Sequence, residues 1–222
     1  MERLDETGRV FAVGDIHGEN RKLNSLLDSL PFEPHRDQLI FLGDYINRGP
    51  DSSAVIATLI DLKQRVPGTI FLKGNHEEVL LRYAHEGEPE DLRLLRAMGV
   101  ESTLASYGDA PAARLRDLAF MPATHRDFLE SLDLFARIDP YLFVHAGLPP
   151  GAAPEDCPPD SLLTCGGLFL KEPPRRGTVV VFGHTATLTP LVAEGKIGVD
   201  TGAAYGGPLT AVELPALRFH HA

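Results

Sequence analysis

Five short fragments of the chain carry Asp, His, Asn and Arg side chains, and each fragment follows an apolar run. The fragments are Gly14–Gly18 (GDIHG), Gly43–Gly49 (GDYINRG), Gly74–Glu77 (GNHE), His145–Gly147 (HAG) and Gly183–Thr185 (GHT). Carboxylate, amide and imidazole groups are the ligands of hydrolytic metal sites. Because open α/β sheets bind ligands where their strands end, the fragments predict one metal site at a common sheet edge.

Six side chains in these fragments are candidate metal ligands. Asp15 and His17 are two residues apart at a strand end, so extended backbone would point both the same way. Asp44 follows a second strand, and its two carboxylate oxygens could bridge two ions. This mixture of donors suits Mn²⁺, Fe or Zn²⁺ better than Ca²⁺, and we expect two divalent ions, with Mn²⁺ the leading choice. The predicted ligands are Asp15, His17, Asp44, Asn75, His145 and His184.

Two other side chains in the fragments could act on a phosphate ester. Two ions roughly 3.5–4 Å apart clamp a phosphoryl group and lower the pKa of bound water, so a metal-bound hydroxide would attack. His76 follows Asn75 in a turn and cannot easily share its direction, which favours a general acid rather than a ligand. The Arg48 guanidinium matches phosphate oxygens bidentately. The predicted substrate-binding residues are Arg48, Asn75 and His76.

Alternating strand and helix signals in the first third of the chain would position the first three fragments. The apolar runs at residues 10–13, 39–42 and 69–72 predict strands. The spacing of apolar residues predicts one helix over residues 20–30 and another over Ser52–Arg65. This alternation is typical of α/β layering.

The remaining segments predict a second set of strands and a helical insertion. Residues 86–132 are rich in helix signals and predict a cap on the sheet rather than a separate domain. The Pro- and Gly-rich segment 147–159 is predicted to be a loop. Residues 1–222 thus predict a single α/β (layered α+β) domain, with a central β-sandwich flanked by helices. The later strands are predicted over residues 135–139, 141–144, 178–182, 191–193, 197–199 and 209–214.

The composition and the net charge of the chain exclude some classes of binding partner. The chain has 222 residues, 43% of them hydrophobic, and a net charge of -10. That charge argues against general binding to nucleic acid or to anionic membranes. Residues 1–6 lack the apolar stretch of a signal peptide, and no window approaches the roughly 20 apolar residues that span a bilayer. Two cysteines are too few for a disulfide framework, so we expect a reduced cytoplasmic protein. The sequence does not predict its oligomeric state.

The five fragments resemble the PPP-type phosphoprotein phosphatases, whose pattern is GDxHG, GDxxDRG, GNHE, HAG and GHT. The similarity is closest to the small bacterial and lambda-phage type serine/threonine protein phosphatases, and it runs from about Val10 to Leu214. It implies a calcineurin-like metallophosphoesterase architecture that holds two metals through the six predicted ligands, with Asp44 bridging. It also implies that His76 is the general acid and that Arg48 binds the phosphoryl oxygens.

Two positions depart from the family pattern. Asn47 stands where the pattern has the Asp that pairs with the catalytic histidine, and it can accept a hydrogen bond but supplies no negative charge. We therefore expect Asn47 to be a catalytic residue that contacts His76 but leaves it a weaker acid than usual. Gly166 stands where small bacterial members usually carry a second phosphate-binding arginine. Compensating cations for Gly166 could come from the following loop, at Lys171, Arg175 or Arg176.

Three functions are compatible with these residues. The leading prediction is a metal-dependent phosphoprotein phosphatase that hydrolyses phosphoserine or phosphothreonine, with phosphotyrosine as a further candidate. The first alternative is a small-nucleotide hydrolase, such as a dinucleoside tetraphosphatase or a phosphodiesterase, since such enzymes share the metal motifs and can lack the GDxxDRG carboxylate. The second alternative is a weakly active, metal-binding phospho-sensor, suggested by the two departures. The expected partner is a phosphorylated protein or a small phosphoester.

Overall fold

Two mixed β-sheets form the centre of the molecule in the computed structural model, which describes residues 2–3 and 8–222. The first sheet has five strands in the order β11-β10-β2-β3-β4, and the second has six in the order β1-β5-β6-β7-β9-β8. The strands are β1 (Glu2–Arg3), β2 (Val10–Val13), β3 (Gln38–Phe41), β4 (Ile70–Phe71), β5 (Phe135–Asp139), β6 (Tyr141–Val144), β7 (Val179–Phe182), β8 (Leu191–Ala193), β9 (Lys196–Gly198), β10 (Thr210–Leu214) and β11 (Arg218–His221).

Helices connect these strands and follow several of the polar fragments. Asp51 begins the second helix as an N-cap, since its side chain accepts a hydrogen bond from the Ala54 N–H. The helices are α1 (Asn20–Ser29), α2 (Ser52–Arg65), α3 (Asn75–Glu86), α4 (Pro89–Ala97), α5 (Val100–Ser106), α6 (Ala123–Glu130), α7 (Pro159–Thr164) and α8 (Gly167–Lys171). Within the described residues, no helix is both long enough and apolar enough to cross a bilayer.

Parallel pairing brings the polar fragments to the same ends of the two sheets. In the first sheet β2, β3 and β4 are parallel, and Val13 pairs with Phe41, which pairs with Phe71. In the second sheet β6, β7 and β9 are parallel, and Phe143 pairs with Val181. Each of the five fragments therefore begins within a few residues of an aligned strand end.

Side-chain alternation along the strands divides the core into layers. Val10 and Ala12 of β2 pack between the sheets in a cluster that also contains Phe143 and Val181 from the second sheet. The neighbouring Phe11 instead faces the helices, in a larger cluster. A third cluster, on the outer face of the second sheet, joins strand residues to α7 and α8. This is the predicted β-sandwich flanked by helices, which is confirmed.

The segment predicted as a helical insertion, residues 86–132, contains α4, α5, α6 and a short 3-10 helix over Ala112–Arg116. Its apolar side chains do not form a core of their own. Leu95, Leu104 and Phe128 belong to the cluster that packs on the helical face of the first sheet. The single-domain organisation of the chain stays a prediction, and the insertion shares the core of the sheet it covers.

Lys196 is a buried cation that the sequence did not single out. Its side chain is 4% exposed, and its Nζ donates hydrogen bonds to the backbone carbonyls of Phe169, Leu170 and Glu172 at 2.7–3.0 Å. The ammonium also lies 5.3 Å from the centre of the Phe169 ring. A cation at a helix C-terminus satisfies carbonyls that have no partner within the helix. Lys196 therefore ties α8 to the start of β9.

Replacing Lys196 by Met should destabilise the protein by about 2 kcal/mol, because hydrogen bonds from a charged donor to three buried carbonyls are lost. The free energy of unfolding in urea measures this. Lys171→Met is the matched control, since Lys171 is an exposed lysine in α8, the helix whose carbonyls Lys196 contacts. The control should change stability by less than about 0.5 kcal/mol. Equal effects of the two substitutions would contradict the role given to Lys196.

Candidate metal centre and active site

Asp44 lies at the centre of the predicted site and faces a different histidine with each carboxylate oxygen. Its Oδ2 lies 3.4 Å from His17 Nε2, and its Oδ1 lies 3.5 Å from His145 Nε2. Two groups of potential ligands share it: His17, Asp44 and His76 form one, and Asp44, His145 and His184 form the other. The arrangement is that of a carboxylate able to bridge two ions.

Backbone carbonyls determine which nitrogen of each central histidine carries the proton. His17 Nδ1–H donates to Ile46 O at 2.9 Å, and His145 Nδ1–H donates to Leu42 O at 2.8 Å. Each Nε2 is therefore left with a lone pair that points toward Asp44. Burial lowers the pKa of His17 to about 3 and that of His145 to about 4, so both rings are neutral at pH 7.

Asn75 from the third fragment and His184 from the fifth also converge on this part of the site. Asn75 Oδ1 lies 2.9 Å from His145 Nε2 and 3.0 Å from His184 Nδ1. Burial lowers the pKa of His184 to about 4. The amide oxygen of Asn75 and the imidazole nitrogens of His145 and His184 thus meet beside the Asp44 carboxylate.

Asp15 contacts the backbone of His184 and interacts with a carboxylate that the sequence analysis missed. Both Asp15 oxygens accept from the His184 N–H, at 3.0 and 3.1 Å. The missed residue, Asp200, is 5% exposed and follows β9. Burial, followed by the charges of Asp200 and Asp44, raises the pKa of Asp15. The sequence does carry a signal for Asp200, because this residue directly follows the apolar run at residues 197–199, as the predicted ligands follow theirs.

These donors fit divalent cations. The lone pair of His145 Nε2 faces Asp44 Oδ1 and Asn75 Oδ1 with no proton between them, which is an unfavourable arrangement unless a cation separates them. Burial raises the pKa of Asp44 to about 7, as expected where acidic groups cluster away from water. Buried carboxylates, an amide oxygen and neutral imidazoles form the kind of ligand set that a transition metal completes.

Glu77 holds the Asp44 loop in place. Its Oε1 accepts from the N–H groups of Tyr45 and Ile46, and its Oε2 accepts from those of Asp44 and Gly74, at 2.8–3.2 Å. The Glu77 side chain is fully buried. Burial, then the charge of Asp44, raises the pKa of Glu77 to about 8, while the backbone donors lower it.

The backbone at the site is strained. His17, Asp44, Asn47, Arg48 and His184 all have positive φ, between 46° and 69°. Non-glycine residues rarely adopt this left-handed conformation, and each instance costs of order 1–3 kcal/mol. The strain concentrates on residues that the sequence predicted to be functional.

Two glycines of the fragments allow this close packing. A Cβ atom at Gly74 would collide with Asp44 Oδ1, and one at Gly183 would collide with Asp15 Oδ1. The fragments therefore require glycine because a carboxylate lies against the backbone.

Asn47 contacts His76, but with the opposite polarity from the one expected. Thr103 Oγ1 donates to Asn47 Oδ1 at 2.7 Å, so the amide nitrogen faces His76 Nδ1 at 2.9 Å. Asn47 therefore donates to this ring rather than accepting from it, and the ring proton resides on Nε2. His76 Nε2 is buried, has no hydrogen-bond partner and lies 3.7 Å from Asp44 Oδ2. Burial, with the charges of His17 and Arg48, lowers the pKa of His76.

Arg48 is brought to the site, whereas the arginines proposed to replace a missing phosphate contact are not. Arg48 Nη1 donates to His17 Nε2 at 2.7 Å. Arg175 and Arg176 precede β7 at its amino end, whereas His184 follows its carboxyl end. The four residues of this strand span roughly 13 Å at about 3.3 Å each. Both arginines therefore lie beyond the end of β7 that is opposite to His184.

Comparison with known proteins agrees with this geometry. A family model described as calcineurin-like phosphoesterase matches residues 8–203. The chain is 26% identical to the asymmetrical bis(5'-nucleosyl)-tetraphosphatase PrpE of Oceanobacillus iheyensis, over 95% of this chain and 90% of that one. It is 28% identical to the symmetrical bis(5'-nucleosyl)-tetraphosphatase of Methylococcus capsulatus, over 92% and 91%.

Solved structures extend the comparison. A protein described as "a putative diadenosine tetraphosphatase" matches with a TM-score of 0.73 and 27% identity, over 97% of this chain and 93% of that one. A serine/threonine phosphatase from Saccharomyces cerevisiae matches with a TM-score of 0.61 over 97% and 80%, at 16% identity, which shows a common fold alone. The leading prediction of a phosphoprotein phosphatase is wrong, since relatives aligned over nine-tenths of both chains are named as dinucleoside tetraphosphatases.

Replacing Asn47 by Asp should raise turnover of an ester with a poor leaving group. A carboxylate at this position would accept from His76 Nδ1–H and raise the pKa of His76, which makes protonation of an alkoxide easier. We expect about a 10-fold rise in kcat for glycerol phosphate, and a smaller change for p-nitrophenyl phosphate, whose leaving group needs no proton. Unchanged kcat for the alkyl ester would contradict this role of position 47.

Replacing Glu77 by Gln should destabilise the protein by about 3 kcal/mol, since an NH₂ group would then face two backbone N–H donors. Urea denaturation measures the change. Glu78→Gln is the matched control, because Glu78 is a partly exposed neighbour paired with Lys73 at 3.0 Å. A surface pair of this kind contributes about 0–1 kcal/mol. If both substitutions cost the same, Glu77 does not anchor the Asp44 loop.

Proposed function

Because the chain belongs to the calcineurin-like phosphoesterase family, we propose that it hydrolyses a phosphoanhydride bond of dinucleoside polyphosphates, with dinucleoside tetraphosphates as the leading substrates. The relatives that support this are named as bis(5'-nucleosyl)-tetraphosphatases and align over 90% or more of their own length. They include enzymes named symmetrical and asymmetrical, and the products of the reaction will decide which bond is cleaved here.

The contact between Asn47 and His76 is the structural observation that carries the proposal. Cleavage of an alkyl phosphate expels an alkoxide, which needs a proton from a strong general acid. Cleavage of a phosphoanhydride expels a phosphate group, whose second pKa is about 6, so the leaving group departs without one. Here Asn47, rather than a carboxylate, contacts His76 Nδ1, and its amide nitrogen donates to that atom. This weak acid suits an anhydride better than an alkyl ester.

We propose that two divalent cations bind between the strand ends, with Mn²⁺ the leading choice and Fe or Zn²⁺ as alternatives. Asp15, His17 and Asp44 would hold the first. The second would also use Asp44, as the bridging ligand. When bound, the two ions would polarise the phosphoryl group and lower the pKa of a coordinated water. The ligands of the second ion would be Asp44, Asn75, His145 and His184.

The other side chains would orient the polyphosphate. Arg48 donates to His17 Nε2, so its guanidinium lies within one hydrogen bond of the predicted ligands and can bind phosphoryl oxygens there. His76 keeps its proton on Nε2, the nitrogen that faces Asp44, and can donate a hydrogen bond to a phosphoryl oxygen while neutral. Asn75 could also contact the substrate. In this proposal the protein side chains bind and orient the substrate, and none of them acts as a strong general acid.

A substrate panel tests the proposal. With Mn²⁺ present, we expect kcat/KM for diadenosine tetraphosphate to exceed that for a phosphoserine peptide by at least about 100-fold. Chromatography of the nucleotide products would show either two ADP or ATP with AMP. Preference for the peptide would refute the proposal. Lack of hydrolysis of every substrate despite metal binding would favour the phospho-sensor instead.

The metal ligands can be tested with a matched pair of substitutions. Asp44→Asn should reduce hydrolysis of diadenosine tetraphosphate by at least about 100-fold and weaken Mn²⁺ binding, because the bridging charge is lost. Asp61→Asn is the control, since Asp61 pairs with Arg65 on the exposed face of α2. Calorimetric titration with Mn²⁺ provides a readout that does not depend on turnover. Unchanged Mn²⁺ affinity in Asp44→Asn would remove Asp44 from the metal site.

A further inference from the structure

Tyr205 is an aromatic side chain exposed beside the site. Among the large apolar side chains that are exposed in the part of the chain the structure describes, it is the only aromatic one, and it is 65% exposed. It ends a short 3-10 helix, Ala203–Tyr205, which follows the buried carboxylate of Asp200. An exposed tyrosine ring gains little from the protein core, so its position invites a ligand-based explanation.

Arg48 connects this ring to the site. Its guanidinium carbon lies 5.2 Å from the centre of the Tyr205 ring, and its Nη1 lies 2.7 Å from His17 Nε2. The ring therefore lies one side chain away from the predicted metal ligands. Arg48 packs on the ring as a cation, while most of the ring surface stays open to solvent.

The backbone that carries Tyr205 is held firmly. Lys22 Nζ donates to Ala203 O at 2.6 Å and to Gly207 O at 2.8 Å. The Gly202 N–H donates to Asp200 Oδ1 at 2.9 Å, and the Tyr205 N–H donates to Gly202 O at 2.8 Å. These bonds fix the turn on both sides of the ring. A preorganised aromatic surface loses little conformational entropy when a flat ligand stacks on it.

We propose that Tyr205 stacks on a nucleobase of the substrate, on the nucleotide whose phosphate Arg48 binds. The proposal rests on the proposed function and names the part of the substrate that is recognised outside the metal centre. Nucleobases stack on aromatic side chains with little dependence on the base, so the contact would favour nucleotides over base-free polyphosphates without strong choice among bases. Arg48 would then contact the phosphate on one side and the stacked ring on the other.

Kinetics on two substrates test this contact. We compare diadenosine tetraphosphate with inorganic tetraphosphate, which lacks a base, in the wild type, Tyr205→Ala and Tyr205→Phe. Stacking energies per base correspond to a change of about 10-fold in affinity. Tyr205→Ala should raise KM for the nucleotide about 10-fold, with kcat changed less than about 2-fold. The preference for the nucleotide over tetraphosphate should fall to the same extent, and Tyr205→Phe should retain it.

Leu217→Ala is the matched control for these measurements. Leu217 is also an exposed apolar residue, 42% exposed, but it lies in the turn between β10 and β11. That turn follows Leu214, which pairs with Val10 at the start of β2, at the opposite end of the sheet from the site. The control should leave both substrates unaffected. An equal loss on both substrates in Tyr205→Ala would mean that the ring only positions Arg48, and it would overturn the proposal.

Photolabelling provides a readout that does not depend on turnover. Irradiation with 8-azido-ATP should label the peptide that contains Tyr205 in the wild type and much less in Tyr205→Ala, as judged by mass spectrometry. Labelling confined to other peptides would overturn the proposal. If the wild type hydrolyses diadenosine tetraphosphate but Tyr205→Ala leaves its KM unchanged, the base contact fails and the proposed function stands. If the wild type does not hydrolyse it, the proposed function fails, and the base contact with it.

Discussion

The carboxylate of Glu77 holds together two of the strand ends from which the site is built. It accepts four backbone N–H groups, three from Asp44–Ile46 and one from Gly74, so it joins the loop after β3 to the start of α3. Leaving a buried backbone donor of this kind without its partner costs about 1–3 kcal/mol. That magnitude is comparable to the cost of the left-handed backbone at Asp44, Asn47 and Arg48, and it is what allows the strain to persist.

A second constraint follows from the same loops, because their carbonyl groups set the protonation of the histidines. Leu42 O and Ile46 O lie at either end of the Asp44 loop and accept from His145 and His17. The lone pairs are therefore directed by the fold rather than by neighbouring side chains. The proton of His76 is instead governed by a side chain, Asn47, and this is the position at which the chain departs from the phosphatase pattern.

Much of the architecture could be predicted from the sequence because local signals agreed with the packing. The helix Ser52–Arg65 and the strands over residues 135–139, 141–144 and 191–193 are observed with the predicted bounds. The edge strand β11 was missed, since Arg218–His221 contains three polar residues and gains its structure by pairing with β10 alone. The helix α8 was missed because the carbonyls at its C-terminal end accept hydrogen bonds from Lys196. That residue lies 25 positions after the last residue of the helix, Lys171.

For the site, residue types were predictable and orientations were not. The six ligand candidates lie at strand ends, where the alternation of apolar and polar residues marks them, and the structure brings them together. The direction of the Asn47 amide depends on Thr103, a residue 56 positions away, and the burial of Glu77 depends on a loop from another strand. Substrate choice was mispredicted for the same reason. The metal ligands of the motifs indicate a metal centre, whereas the proposed handling of the leaving group depends on Asn47 and His76, whose orientation is set by Thr103 outside the motifs.

The left-handed backbone at His17, Asp44, Asn47, Arg48 and His184 has an evolutionary consequence. Glycine adopts this conformation without strain, so a random change to glycine at Asn47 or Arg48 would relax the backbone while removing a functional group. Activity and thermodynamic stability are thus opposed at these positions. Without selection for hydrolysis, a lineage of this protein would drift toward folded and stable descendants that have lost their chemistry before they lose their shape.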